Sequence, residues 1–477
     1  MKKTVSLVIM LMCVTFAAQA FWLSARWEGT VQVGGLRPQT LKFNISESFD
    51  GSLEAYISAV NEEATHIPCE ASRLPGYYQI EIKMPSINAC FTGTVIDHNS
   101  IEGTFVLDGK KQPLKLMCKD YDTGEVVQYL RPVKPRTLPV MKDGDTTKLI
   151  KKEWKGNLNF QEVTFGHDDV TLAGTLYMPN GTGTHGVPAV IIVSGSGTQD
   201  RDGTMMGLTP YRAIAEDLLC HGVAVLTYDD RGAGESSPLK GNETTLDYAR
   251  DAQAAFDFLM NTPGINHSRI GYCGHSEGGQ IAFINASRDP RVAFVVSLAG
   301  PAVSGRDVMV QQNLSLLDIS GITCTPAQVA ELNGIFDDIV NIADTAQLQQ
   351  SLRQRLAAST LQHYTPELLE QSVAVMTSPW YMSFVRFNPK PYLERINCQV
   401  LALGGEWDFQ VNAEQTFTAL KASVSNVRCE LLPEHNHMFQ KCPSKLASLN
   451  YPTLGNISAT TLGLILDFVK GVYTKKQ

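Results

Sequence analysis

Ile270-Gly271-Tyr272-Cys273-Gly274-His275-Ser276-Glu277-Gly278-Gly279-Gln280-Ile281-Ala282-Phe283-Ile284-Asn285-Ala286 decides the fold of this 477-residue chain. An apolar strand pattern, Arg269 to Cys273, runs into Gly274-His275-Ser276-Glu277-Gly278, and an apolar helical pattern leaves it. The pentapeptide has the form G-x-S-x-G, the nucleophile elbow. The spacing has a steric reason. A serine whose hydroxyl must project from a sheet rim needs a tight strand-to-helix turn, and side chains two residues either side would collide there.

Working outward, strand-like and helix-like runs alternate. Pro188-Ala189-Val190-Ile191-Ile192-Val193 is a continuous apolar run, as expected of a strand buried on both faces. Helical patterns cover 210–220 and 245–260, and strand patterns cover 223–228, 292–298, 400–403 and 427–432. This alternation predicts an α/β fold, a mostly parallel sheet covered by helices on both faces, over 160–301 and 396–477. Residues 302–395 break it. They contain no clear strand and carry helical stretches at 326–340, 345–358 and 366–376. We expect a helical cap insertion over the carboxyl rim of the sheet, where ligands bind in open α/β sheets.

A serine hydroxyl at its ordinary pKa is a weak nucleophile and needs a base, which in turn needs an orienting carboxylate. In this architecture both follow the serine, acid first. Asp408 follows the strand pattern ending Leu401-Ala402-Leu403-Gly404-Gly405, 132 residues after Ser276. His437 follows Leu431-Leu432, 29 residues later. Glu406 and His435 compete for the two roles. His435-Asn436-His437 also has the look of a metal pair, but no third ligand motif accompanies it. His275 is read as a packing residue. The oxyanion of an acyl-transfer reaction needs backbone N–H donors. The expected donors are Glu277, directly after the nucleophile, and Ser196 in the small-residue loop Ser194-Gly195-Ser196-Gly197. Trp380, Tyr381 and Phe384, at the end of the insertion, are candidates for lining a substrate pocket, with packing of the insertion as the competing reading. Asp229 and Arg231 are expected to knit the turn after their strand.

Several of these pieces occur together. Gly195-Ser196-Gly197 precedes Gln199-Asp200-Arg201-Asp202. Asp229-Asp230-Arg231-Gly232-Ala233-Gly234-Glu235-Ser236, the elbow, Asp408-Phe409-Gln410-Val411 and Asn436-His437 follow. In this combination residues 160–477 resemble the α/β-hydrolase superfamily, in particular secreted bacterial members near the serine aminopeptidases, acyl esterases and bile-acid-type acyltransferase/thioesterases. The resemblance implies Ser276 as nucleophile, Asp408 as acid and His437 as base. Members often carry a β-rich N-terminal domain. Ser194 departs from the pattern, standing where many hydrolases have a histidine before the oxyanion glycine.

Residues 21–135 read as that accessory domain. Short alternating runs such as Thr30–Val33, Leu41–Ile45, Tyr78–Ile82 and Gly103–Leu107 are punctuated by Asp50-Gly51 and Asp108-Gly109. This pattern predicts a small all-β sandwich or barrel without a chemistry-bearing cluster. Residues 136–159 follow a proline-rich, charged stretch and read as a linker. Residues 1–20 read as a signal peptide: Lys2 and Lys3, an apolar run from Val5 to Ala17, then Ala18-Gln19-Ala20 as the cleavage site. The run is short for a membrane span, which needs about 20 residues. Export to a bacterial periplasm or beyond follows as the expectation.

Composition narrows the partners. Net charge is −8, with 43% hydrophobic and 18% charged residues, a globular profile without basic runs. Nucleic-acid binding, which needs a basic face, is excluded. Ten cysteines show no C-x-x-C pair, so no structural zinc site is expected, and the spacing names no disulfide. Together these readings predict a secreted serine hydrolase without metal or organic cofactor, acting on a small acyl ester or short peptide. Carboxylic ester cleavage is favoured; an aminopeptidase-like or thioesterase activity uses the same residues. A non-catalytic ligand-binding protein is the contrasting class.

Overall fold

A computed structural model describes residues 25–32, 38–47, 53–59, 67–73, 79–97, 100–119, 159–179, 186–205, 208–451 and 454–474. The expected signal peptide (1–20) and nearly all of the expected linker (136–159) lie outside these residues. Contacts divide the chain into two units, residues 16–137 and the remainder.

The first unit is a closed barrel of eight antiparallel strands. They are Ala25–Val31 (β1), Gln39–Glu47 (β2), Leu53–Ala59 (β3), Ile67–Arg73 (β4), Gln79–Met84 (β5), Ala89–Asp97 (β6), Ser100–Leu107 (β7) and Lys110–Lys119 (β8). Pairing of β1 with β8, Trp27 opposite Cys118, closes the ring. Alternate residues point inward, as strand geometry requires. Ile80, Ile82 and Met84 of β5 meet Trp27, Phe43, Phe91, Leu114 and Leu116, all buried. The interior is a packed core. Sequence alternation alone allowed a sandwich or a barrel, and the β1–β8 pairing decides for the barrel.

The second unit carries an eight-stranded sheet. Its strands are Asn159–His167 (β9), Val170–Met178 (β10), Val187–Val193 (β11), Ala224–Tyr228 (β12), Ile265–His275 (β13), Phe294–Leu298 (β14), Gln399–Gly405 (β15) and Val427–Leu432 (β16). Their order is β16-β15-β14-β13-β11-β12-β10-β9. β9 and β10 form an antiparallel hairpin, β10 runs antiparallel to β12, and the other neighbours are parallel. The period-2 geometry divides each buried strand between two cores. Ala189, Ile191 and Val193 face one side; Val190 and Ile192 face the other.

Helices Thr245–Met260 (α2) and Glu277–Arg288 (α3) cover the first face, supplying Phe256, Leu259, Ile281 and Phe283. Pro210–Cys220 (α1) and Ala459–Thr474 (α11) cover the second, with Ile214, Leu218, Ile465 and Val469. Ala413–Ser423 (α10) follows β15. Between β14 and β15 lies the insertion: Gly305–Ile319 (α4), Pro326–Asn341 (α5), Thr345–Ala357 (α6), Pro366–Met376 (α7), Pro379–Arg386 (α8) and Lys390–Leu393 (α9). Helices α4 to α8 build a core of their own around Phe336, Leu352, Met376 and Tyr381. Threonine, serine or aspartate caps start α4 to α8; the Thr325 side chain, for example, accepts from the Gln328 amide.

Among the described residues no helix is long and apolar enough to cross a membrane. Among the described residues Cys90, Cys220, Cys273, Cys324, Cys398, Cys429 and Cys442 are not joined in disulfides, and Cys273 is buried in the sheet.

Phe283 anchors the helix that follows the elbow and is fully buried. Phe283→Ala is expected to destabilise the second unit by about 3–5 kcal/mol. The midpoint of urea unfolding, followed by tryptophan fluorescence, measures this.

Candidate active site

Ser276 sits between β13 and α3 with φ 54° and ψ −122°, a backbone region that a residue with a side chain rarely enters. Two backbone bonds hold it there. Ser276 N–H donates to Leu298 O of β14 at 2.8 Å, and Gly279 N–H donates to Ser276 O at 2.9 Å. The glycines of the motif meet the steric demand. A Cβ on Gly274 would lie 2.0 Å from Gly278 O, and one on Gly278 would lie 2.2 Å from Val193 O. Gly195 permits the loop after β11 to approach the elbow; its Cβ would meet the Ser276 Cβ at 3.1 Å.

Asp408 and His437 come from the loops after β15 and β16. His437 Nδ1 lies 2.8 Å from Asp408 Oδ2, and both side chains are almost wholly buried. The other carboxylate oxygen, Oδ1, accepts from the Gln410 amide at 2.8 Å and the Val411 amide at 3.0 Å. Because the carboxylate accepts, Nδ1 carries the proton and Nε2 presents a lone pair. His437 Nε2 is buried and has no hydrogen-bond partner, Ser276 Oγ included. His437 belongs to the elbow's neighbourhood all the same: its ring lies 4.8 Å from that of His275, centroid to centroid.

The competing residues are committed elsewhere. His435 uses both ring nitrogens, Nδ1 on Pro433 O at 2.6 Å and Nε2 on Ser458 Oγ at 2.8 Å. The Glu406 carboxylate accepts from the Glu434 amide.

The loop after β11 is fixed from below. Asp230 Oδ1 lies 2.6 Å from Ser194 Oγ, and Oδ2 accepts from the Gln199 amide at 2.9 Å. Gly195 N–H donates to Tyr211 Oη at 3.1 Å. That bond uses up the Gly195 amide and leaves Ser196 as the next N–H of the loop. The Glu277 amide opens α3, and the first amides of a helix find no partner within it.

The three aromatic pocket candidates divide. Trp380 is half-buried and reaches the elbow, its Nε1–H lying 3.1 and 3.2 Å from the two Glu277 carboxylate oxygens. Tyr381 is fully buried, and Phe384 is buried and stacks on Trp380 at 5.5 Å; both belong to the insertion's core. Burial places these two side chains in the insertion's core, in keeping with the packing reading that stood beside pocket lining. Glu277 also accepts from Thr245 Oγ1 at 2.6 Å. Burial pushes its carboxyl above the usual range, against the hydrogen bonds from Thr245, Ser196 and Trp380.

Charged pairs brace the strand β12 turn. Arg231 binds Asp251 through Nε and Nη2, each at 2.7 Å. Arg201 donates to both oxygens of Asp229, and its Nη1 contacts Glu162. Sequence reading missed the use of His275. Its Nε2 lies 3.0 Å from His437 O and its Nδ1 lies 3.2 Å from Tyr211 Oη. Nothing in a local pattern announces contacts 162 and 64 residues away. Among the described residues no group of three or more His, Cys, Asp or Glu is arranged to hold a metal ion.

Two expectations follow. The unusual Ser276 backbone suits glycine, so Ser276→Gly should be more stable than Ser276→Ala by about 1 kcal/mol, read from thermal unfolding midpoints. Burial pushes Asp230 up to about 8, so it is a neutral acid near pH 7. Its folded pKa lies above the unfolded value, so its stabilisation is full below about pH 4 and is lost progressively as pH rises to 8. An asparagine side chain at this position would donate to Ser194 Oγ and accept from the Gln199 amide. Asp230→Asn should therefore leave the urea midpoint nearly unchanged below about pH 4 and raise it progressively relative to wild type as pH rises to 8, with the full difference present at pH 9.

Comparison with known proteins places the chain in a family. A family model described as serine aminopeptidase, S33, matches residues 203–440. Esterase EstD of Thermotoga maritima is 25% identical over 303 residues, 62% of this chain and 65% of that protein. Polyketide transferase claH of Penicillium crustosum is 32% identical over 160 residues, 31% of this chain and 46% of that one. The chain thus spans about half of one relative and just under two thirds of the other. Among solved structures, the α/β hydrolase GrgF of Penicillium sp. sh18 is 18% identical with a TM-score of 0.43, covering 66% of this chain and all of that one. With its elbow, its sheet order and its family match, the chain belongs to the α/β-hydrolase superfamily.

Proposed function

We propose that this protein is an exported serine hydrolase that cleaves a small carboxylic ester through Ser276, His437 and Asp408. The observation that carries the proposal is the buried His437–Asp408 pair, whose outer nitrogen is left without a partner beside the elbow. Ser276 Oγ attacks the acyl carbonyl while His437 Nε2 takes its proton. Asp408 holds the imidazole in the Nδ1–H tautomer and stabilises the imidazolium that forms. The Glu277 and Ser196 amides face the developing oxyanion. His437 then returns the proton to the leaving alkoxide, and water repeats the sequence on the acyl-enzyme. Ester cleavage is supported by the insertion between β14 and β15, whose Trp380 reaches the elbow, and by the esterase relatives. The family model's description supports a peptidase as second reading on the same three residues. Export is supported by the pattern of residues 1–20.

A panel of p-nitrophenyl esters of increasing acyl length, aminoacyl-anilides and acyl thioesters decides among these. We expect turnover of short esters; cleavage of anilides alone assigns the peptidase instead. Ser276→Ala should lower kcat/KM by about 10⁴-fold or more, and Asp408→Asn by about 10³–10⁴-fold with little change in KM. Wild-type turnover in Ser276→Ala rules out the proposed nucleophile.

A further inference from the structure

The structure assigns His275, the residue before the nucleophile, as a positioning residue that ties the base loop and the oxyanion loop to the elbow. The inference rests on the triad reading above.

The hydrogen-bond directions can be worked out from one end. His437 O is a carbonyl and only accepts, so His275 Nε2, 3.0 Å away, must carry the proton and donate. In a neutral ring Nδ1 is then an acceptor, and it faces Tyr211 Oη at 3.2 Å. Tyr211 Oη receives the Gly195 amide at 3.1 Å and lies 2.9 Å from Gln199 Oε1. The Tyr211 hydroxyl hydrogen is thus shared between Gln199 and His275. Gln199 continues the chain, its Nε2–H donating to Ser196 O at 3.1 Å. One side of a single imidazole therefore fixes the backbone of His437. Its other side reaches, through Tyr211 and Gln199, the backbone on both sides of the Gly195–Ser196 peptide.

His275 and Tyr211 are both buried, so water does not compete for these bonds. The ring must also stay uncharged. His437 becomes an imidazolium during acyl transfer, and a second cation 4.8 Å away would oppose it. Burial and the neighbouring His437 push His275 down to about 3, against the hydrogen bond to the His437 backbone. The neutral form thus holds throughout the pH range in which a histidine base operates.

The test compares His275→Phe, His275→Gln and Tyr211→Phe in the full chain. Phenylalanine keeps a ring but removes donor and acceptor; glutamine returns an N–H near the position of Nε2. Each variant is titrated with a fluorophosphonate so that kcat refers to labelled Ser276 alone, using a short p-nitrophenyl ester. We expect His275→Phe to lower kcat per labelled site by about 10–100-fold with KM changed by no more than about threefold. His275→Gln should recover most of that loss. Tyr211→Phe should lower kcat less, and its effect should not add to that of His275→Phe, because both break one chain. A residue that only packs would reduce the labelled fraction or the melting temperature and leave kcat per labelled site at wild type; that result overturns the inference, as does a glutamine variant no better than phenylalanine. If His275→Phe does not fold, Tyr211→Phe and His275→Gln carry the comparison, and wild-type kcat per site in both overturns it. Ser276→Ala keeping its turnover would instead overturn the triad reading beneath.

Discussion

Ser276 is held in a backbone conformation that its own side chain disfavours, and the rest of the site is arranged around that fact. The conformation persists because neighbours leave no alternative. β14 takes its amide through Leu298 O, α3 takes its carbonyl through Gly279, and two glycines clear the space above and below. A strained residue of this kind costs about 1–3 kcal/mol, and only a rigid surround sustains it. That surround is the doubly covered sheet, with Phe283 and Ile281 on one side and the fully buried strands β13 and β14 beneath. Packing and chemistry are thus coupled: a loosened α3 would let the turn relax and lower the hydroxyl back into the sheet rim.

The second constraint is electrostatic. Asp229, Asp230, Asp251, Glu277 and Asp408 are all buried near the carboxyl rim, in an interior where an unpaired charge is costly. They are accommodated in several ways. Asp229 and Asp251 take arginines, Asp408 takes two backbone amides and an imidazole, and Asp230 holds its proton. Glu277 collects hydroxyl and indole donors, one of them from the insertion. Arg201 and Arg231 are thereby held by their local carboxylates.

The sequence made most of the second unit legible because its signals are local. Continuous apolar runs such as 188–193 state that a strand is buried twice over, and G-x-S-x-G states a steric necessity. Asp408 and His437 follow from chain order once the elbow is accepted. Less was visible where pairing is decided at a distance. The β9–β10 hairpin has mixed polarity, with Glu162, Thr164 and Thr171 exposed or half-exposed, and so does not read as part of the main sheet. Helix α4 is partly buried along its length and lacks a sharp apolar stripe. Barrel and sandwich share one alternation and differ only in whether β1 meets β8. Aromatic residues in succession look alike from the sequence, although Trp380 reaches Glu277 while Tyr381 and Phe384 fill the insertion's core. His275 looked inert because its partners, Tyr211 and His437, are brought to it only by the folded sheet.

The order of the large sheet leaves β9 and β16 as its outermost strands, each with a row of backbone groups that another chain's strand could match. Both carry their own deterrents. β16 presents Arg428 and Glu430, bonded to each other at 2.8 Å, and β9 presents Gln161, Glu162 and Thr164. A docking strand would have to dehydrate these polar groups to reach the ladder. The barrel's ring has no such margins. Fibrous self-association by strand addition is therefore resisted by closure in one unit and by polar margins in the other.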